Sequence, residues 1–201
     1  MSQIQITSLD YQQLHDQLNT NHGSNTNYLE FIINVFLYSE ERHLFWGNTD
    51  IFNRKYADKL DFKRHFINLL SMNWGDFRFF ILKVDDLPSG ILAIYNVSIS
   101  NQRADILAWI ESKYRSWNVL IKWWILFLNH LQVLGIKRVF CKIRHQNLIA
   151  IKAAKSFGFE QCGLLPEYFK NAEFSESAYI FTRSTEFNNF EILYNNRRYL
   201  A

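Results

Sequence analysis

The sequence predicts an α+β domain organised around a mixed β-sheet flanked by helices, and three observations carry that expectation. Three strand-like runs, "FRFFILKV" (77–84), "ILAIYNVSI" (91–99) and "ADILAWIE" (104–111), follow one another through short polar links, as in an antiparallel meander. A long apolar helical pattern from Trp117 to Leu134 then separates the third run from a fourth, "KRVFCKI" (137–143). A strand, a helix and a strand of those lengths make a parallel crossover of the usual right hand. The sheet is therefore expected to change from antiparallel to parallel between 104–111 and 137–143.

Taken in order, "IQITSL" (4–9) alternates weakly and is expected to be the first strand. From Asp10 to Met72 the pattern is helical in pieces, with Leu29, Ile32, Ile33 and Phe36 on one face and Leu60, Phe62, Phe66 and Leu69 on another. Between them "RHLFWGNTDIFNRKYADK" mixes aromatic rings, Asn and cations with no clear period. "DDLPSG" (85–90) reads as the turn between the first two meander strands. Gly135 is placed to close the long helix and Gly158 a second, "NLIAIKAAKSF" (147–157), with Asn147 as its N-cap. "EQCGLLP" and "SAYIFTRS" supply two last strands.

The 201 residues are enough for one domain with an ordinary core, 48% of them being apolar. A single domain over 1–201 is expected, with a helical part at 1–76, a core at 77–183 and an extension at 184–201. The net charge of +3 is spread along the chain, which gives no support to nucleic-acid binding. "MSQIQITSLD" lacks a charged segment followed by an apolar one, and Lys122, Asn129 and His130 interrupt the most apolar run, so a cytoplasmic protein without a membrane span is expected. Cys141 and Cys162 stand in apolar strand contexts without metal spacing and read as reduced core thiols. The six histidines have no ligand spacing, so no metal is expected.

A strand that runs into a helix through a short loop presents backbone N–H groups and a partial positive charge, which suits a diphosphate. "YRSWN" (114–118) is such a junction, although no glycine occurs between 91 and 134. Together with "NLIAIKAAKSFGF", an Asn-led helix ending in Gly-Phe, it makes the stretch 77–183 resemble the GCN5-related N-acetyltransferase superfamily. The resemblance implies acyl transfer from acyl-coenzyme A to an amine, on a sheet whose fourth and fifth strands splay apart. It implies that the pantetheine arm lies along the fourth strand at Trp109 and Ile110 and near Asn147 and Lys155. The diphosphate would rest on Arg115, Ser116, Trp117, Asn118, Val119 and Leu120. Asn118 and Leu120 stand where the family's loop has its central glycine and its last small residue. Asn is the best non-glycine residue for positive φ, so Asn118 is expected to hold a left-handed turn.

The family's tyrosine acid corresponds to Ala154, which removes the usual proton donor. Alternation puts Asp105, Leu107, Trp109 and Glu111 on one face. Glu111 is the first candidate for the base, beside the reacting thioester, and Asp105 the second. Tyr114 is a candidate donor to the thiolate and His145 a candidate relay. For the acceptor, Arg42, Trp46, Arg54, Lys55 and Tyr168 combine stacking rings with cations, a mixture that suits a nucleotide-linked sugar, and in overall look the chain is similar to those members of the superfamily that acylate dTDP- or UDP-linked amino-deoxysugars for surface polysaccharide synthesis. The alternatives are a protein Nα-acetyltransferase of the ribosomal-protein type and an inactive acyl-CoA-binding module. A homodimer is an open option.

Overall fold

The computed structural model describes residues 3–9, 11–19, 28–38, 58–73, 78–170 and 175–185. Its elements are β1 (Ile4–Leu9), α1 (Tyr11–Asn19), α2 (Tyr28–Tyr38), α3 (Lys59–Asn73), β2 (Arg78–Val84), β3 (Leu87–Ser98) and β4 (Arg103–Ile110). They continue with α4 (Trp117–Val133), β5 (Arg138–Arg144), α5 (Leu148–Ser156), β6 (Glu160–Lys170) and β7 (Ser175–Ser184). The sheet order is β1-β2-β3-β4-β5-β7-β6. Every pair is antiparallel except β4–β5, which is parallel, as the α4 crossover requires.

Alternation sorts side chains onto two faces. Phe80, Leu82, Leu92, Ile94, Ala104 and Ile106 pack against α4 and α5, while Phe79, Ile81, Ile91 and Ala93 pack against α2 and α3. β3 is accordingly buried from Ser89 through Ile94, the mark of a strand covered on both sides. On α4, Leu120, Trp123, Trp124, Phe127, Leu128 and Leu131 recur at helical spacing and form the stripe that meets the sheet. Phe127 sits edge-on to Phe80 at 5.1 Å. On the opposite face Phe36 of α2 meets Phe66 of α3 at 5.0 Å.

Both central helices stop as their glycines direct. Gly135 has φ 73° and Gly158 has φ 78°. Gly135 N–H donates to the Gln132 carbonyl and Ile136 N–H to Leu131, and the pattern repeats with Gly158 to Lys155 and Phe159 to Ala154. These are paired Schellman closures. The first hairpin differs from the expected six-residue turn. Only Asp85 and Asp86 form it, both with positive φ, and Val84 pairs directly with Leu87. Two left-handed residues match the twist of a tight hairpin, so Leu87, Pro88, Ser89 and Gly90 join the strand. Pro88 lies opposite Lys83 at a register shift, where a missing N–H is tolerated.

Among the described residues no helix is long and apolar enough to cross a membrane. A Cβ on Gly90 would stand 2.9 Å from the Trp109 carbonyl oxygen and 3.2 Å from Ile110 Cγ1. Gly90→Ala therefore forces β3 and β4 apart and is expected to cost about 1–3 kcal/mol in urea or thermal unfolding. An unchanged midpoint would show that β4 carries no such constraint.

Candidate active site

The β4–β5 ladder has three rungs, Arg103 with Arg138, Ala104 with Val139 and Asp105 with Phe140. Beyond Asp105 each strand keeps its outer neighbour. β4 stays on β3 as far as Ile110 opposite Gly90, and β5 stays on β7 as far as Arg144 opposite Ala178. A wedge thus opens between Ile106–Ile110 and Cys141–Arg144, with its apex at Asp105. Ala108, in the middle of β4 and on the α4 side between buried Ile106 and half-buried Ile110, is exposed to this opening. Because β4 and β5 run parallel, the helices that follow them, α4 and α5, both begin at the wide end.

At the start of α4, Ser116 is the N-cap with extended dihedrals, and its side chain makes no capping bond. Val119 and Leu120 N–H both donate to the Ser116 carbonyl, while the N–H groups of Ser116, Trp117 and Asn118 have no partner among the described residues. This is an open helix N-terminus of 17 residues' dipole. The expectation for Asn118 is corrected here. It is the second residue of α4 and is absent from the positive-φ residues, because the chain enters the helix directly from an extended Ser116. No glycine is needed where no left-handed residue occurs. Leu120 is buried in the core against the sheet, so it does not crowd the amides. Arg115 folds back, its Nε donating to the Ile110 carbonyl at 2.8 Å, and ties the loop to the end of β4. The Trp117 ring lies on Phe157, the C-cap of α5, at 5.4 Å and nearly parallel to it.

Asn147 is the N-cap of α5, its Oδ1 accepting from Ala150 N–H at 3.1 Å, while its Nδ2 donors have no partner among the described residues. Lys155 is exposed in the last turn of α5. Ala154 is buried in the apolar core, so no proton donor stands at that position. Trp109 contributes only backbone to the wedge, since its ring turns to the other face and meets Phe31 of α2 at 6.3 Å.

Asp105 sits at the apex on the α2-facing side. Its Oδ2 accepts from Asn96 Nδ2 at 3.1 Å and from Lys142 Nζ at 2.5 Å, while Oδ1 has no partner among the described residues. Asn96 reaches it because β3 is irregular between Tyr95 and Ser98 and Asn96 takes φ 50° there. The Lys142 ammonium stands 5.8 Å from the ring centres of both Tyr95 and Tyr168. Burial, with the Asp105 charge next, holds the Tyr95 phenol far above the usual tyrosine range, so it remains a neutral donor.

Glu111 lies elsewhere. It follows β4 at the wide end, six residues and roughly 20 Å along the strand direction from Asp105. There it pairs with exposed Lys113 at 2.9 Å and its N–H donates to the Ser89 carbonyl. Its hydrogen bond pushes the Lys113 ammonium pKa up. Glu111 and the open start of α4 occupy the same end of the wedge, so a ligand with its diphosphate on α4 brings Glu111 beside the phosphates and Asp105 beside the far tip. Tyr114 belongs to the same 3-10 turn, Ser112–Tyr114, with Lys113 over its ring. His145 Nδ1 is 3.2 Å from Glu176, which also accepts from Gln146 N–H and pairs with buried Arg144. Arg42, Trp46, Arg54 and Lys55 lie outside the described residues. Tyr168 is described, at the rim and 44% exposed.

The sequence reading missed Lys142 and Asn96. The signal was present, since a lysine between Cys141 and Ile143, inside a strand rather than at its end, needs a partner. It also placed both thiols in the core, whereas Cys162 is exposed on β6, its Sγ–H directed at the Ile180 carbonyl at 3.6 Å.

No protein-family model and no curated protein sequence matches the chain. Solved structures do. A spermidine N-acetyltransferase mutant from Vibrio cholerae superposes with a TM-score of 0.65 at 14% identity, over 91% of this chain and 94% of that one. An acetyltransferase from Salmonella typhimurium that modifies the N-terminal serine of ribosomal protein L7/L12 gives 0.61 at 12% identity, over 90% and 94%. A ribosomal L7/L12 α-N-protein acetyltransferase bound to coenzyme A gives 0.62 at 11%, over 90% and 93%. The fold is that of the GCN5-related N-acetyltransferases, with the parallel β4–β5 pair at its centre.

Cys141, just past the last rung of the wedge, has its thiol pushed up to about 12, by burial first and by Asp105 next. Only the thiolate alkylates, so at pH 8 iodoacetamide is expected to label Cys162 first and Cys141 on the order of a hundred times more slowly. Peptide mass spectrometry reads the ratio, and equal labelling would contradict the burial.

Proposed function

We propose that the protein is an acyl-CoA-dependent N-acyltransferase acting on a primary amine. The observation that carries this reading is the wedge itself: a strand edge that opens at Asp105 and leads, at its wide end, to a helix start with unsatisfied amides. An extended arm of amides pairs with such an edge as a strand would, and a diphosphate fits the Ser116, Trp117 and Asn118 N–H groups. Acyl-coenzyme A combines these two features and supplies a thioester at the tip of its arm. Asn147 offers its amide donors along the arm, and Lys155 and Arg115 add positive charge nearby.

In this reading Asp105 replaces Glu111 as the base. The acceptor amine arrives as ammonium and gives a proton to Asp105 Oδ1, while Asn96 and Lys142 hold Oδ2 and fix the direction of the open oxygen. Backbone N–H groups of β4 polarise the acyl oxygen without reorganising. Glu111 and Tyr114 act at the loop that shapes the diphosphate end. Among acceptors, a nucleotide-linked amino-deoxysugar is the reading we favour; its described support is Tyr168, a partly exposed ring at the rim of the apex that a base or sugar face can cover. A protein N-terminus, the acceptor of the two ribosomal-protein enzymes, is the competing reading.

Proline at position 117 keeps the helix start, because Ser116 is already extended and the first turn tolerates a missing N–H. Trp117→Pro is therefore expected to weaken coenzyme A binding on the order of tenfold beyond Trp117→Ala, the difference being one hydrogen bond to a charged group. Equal affinities by calorimetry would take the diphosphate off α4. Asp105→Asn should lower turnover about 10²–10⁴-fold with coenzyme affinity unchanged, and a variant near wild-type turnover would remove Asp105 from the chemistry. UDP or dTDP should compete with the amine in steady-state assays. Acylation of an N-terminal peptide without such competition would instead select the protein acceptor.

A further inference from the structure

The groups around the apex specify more than a base. Among the described residues, the charged side chains at the apex on the acceptor side are Asp105 and Lys142, paired through one carboxylate oxygen, with side-chain exposures of 16% and 20%. The remaining wall is aromatic, Tyr95 buried below and Tyr168 at the rim, with the ammonium between the two rings. The pair is therefore neutral as a unit but polarised. It presents one open carboxylate oxygen, Asp105 Oδ1, beside an ammonium that uses one of its three donors on Oδ2.

Building on the acyltransferase reading, we infer that Lys142 determines acceptor specificity, selecting a primary amine that carries an anionic group, carboxylate or phosphate, within a few ångströms and rejecting polycationic amines. An ammonium at Oδ1 places its neighbouring substituent against Lys142. An anion there exchanges its water for charge-assisted hydrogen bonds from an ammonium already held in place by Asp105 and the two rings. A second cation there meets a fixed like charge in a partly dry site, where repulsion is weakly screened. Tyr95, kept neutral by its burial, adds no competing negative charge. Among the described residues Asp105 is the one anionic partner of Lys142.

The experiment compares kcat/KM, with acetyl-CoA, for O-phosphoethanolamine against ethanolamine, L-serine against L-serinamide, and spermidine, in the wild type, Lys142→Gln and Lys142→Arg. The wild type is expected to favour each anionic amine over its neutral parent by on the order of tenfold or more, the effect of one charged hydrogen bond, and to leave spermidine the poorest of the five. The first pair against the second tells phosphate from carboxylate. Lys142→Gln should abolish both preferences and raise spermidine relative to ethanolamine by a similar factor, while Lys142→Arg keeps them. Each ratio is taken within one variant, so a change in stability drops out. Unchanged ratios in Lys142→Gln, or no turnover of any of the five by a wild type that still binds coenzyme A, overturn the inference about Lys142 alone. Failure of the wild type to bind coenzyme A overturns the acyltransferase reading with it.

Discussion

Three backbone rungs between β4 and β5 hold the two halves of this molecule together, and everything distinctive in it follows from there being no more. Because β4 remains bound to β3 and β5 to β7, the sheet does not fray at this point but parts into two stable half-sheets. The side chains of α4 and of the turn that closes α5 bridge the parting from one side, with Trp124 packed against both Phe157 and Phe159. Arg183 reinforces that contact by donating to the Phe157 carbonyl and lying over the Trp124 ring. Hydrophobic packing thus replaces the missing ladder on the helix side and leaves backbone exposed in the wedge.

The parting also decides where charge is tolerated. Asp105, in the last rung, and Lys142, two residues beyond its partner Phe140, stand where the continuous sheet ends on the opposite face, and a lone charge in either place would be costly. As a pair held by Asn96 they are stable, and breaking the pair from one side leaves the other charge without compensation. The left-handed Asn96 shows how local geometry serves the site. The irregularity in β3 turns an amide onto Asp105 that regular alternation would have put on the other face, with Ile94.

Much of this was legible in the chain. Strand and helix positions, the parallel crossover, the two glycine closures and the Asn147 cap follow from periodicity and local propensity, which act over a few residues. What periodicity does not encode is where two strands separate, since that depends on which neighbour each strand keeps. Glu111 and Asp105 share a face by alternation, which ranks Glu111 first for its place at the strand end, whereas their distances from the apex of the wedge depend on where the last rung falls. The glycine-poor loop was misread for a related reason. The pattern of the family places a turn at Asn118, but the extended Ser116 starts the helix one residue earlier and removes the need for any left-handed residue. Arg42, Arg54 and Lys55, which the sequence suggests for the acceptor, lie outside the described residues.

Backbone groups of β4 and of the start of α4 carry the proposed coenzyme site, and amide hydrogen exchange reads those directly. With coenzyme A added, slowed exchange is expected in two places, the β4 segment Ile106–Ile110 and the residues Ser116 to Asn118, with β2 and β6 unchanged. Protection of neither segment at saturating coenzyme, or protection confined to other strands, would contradict the account.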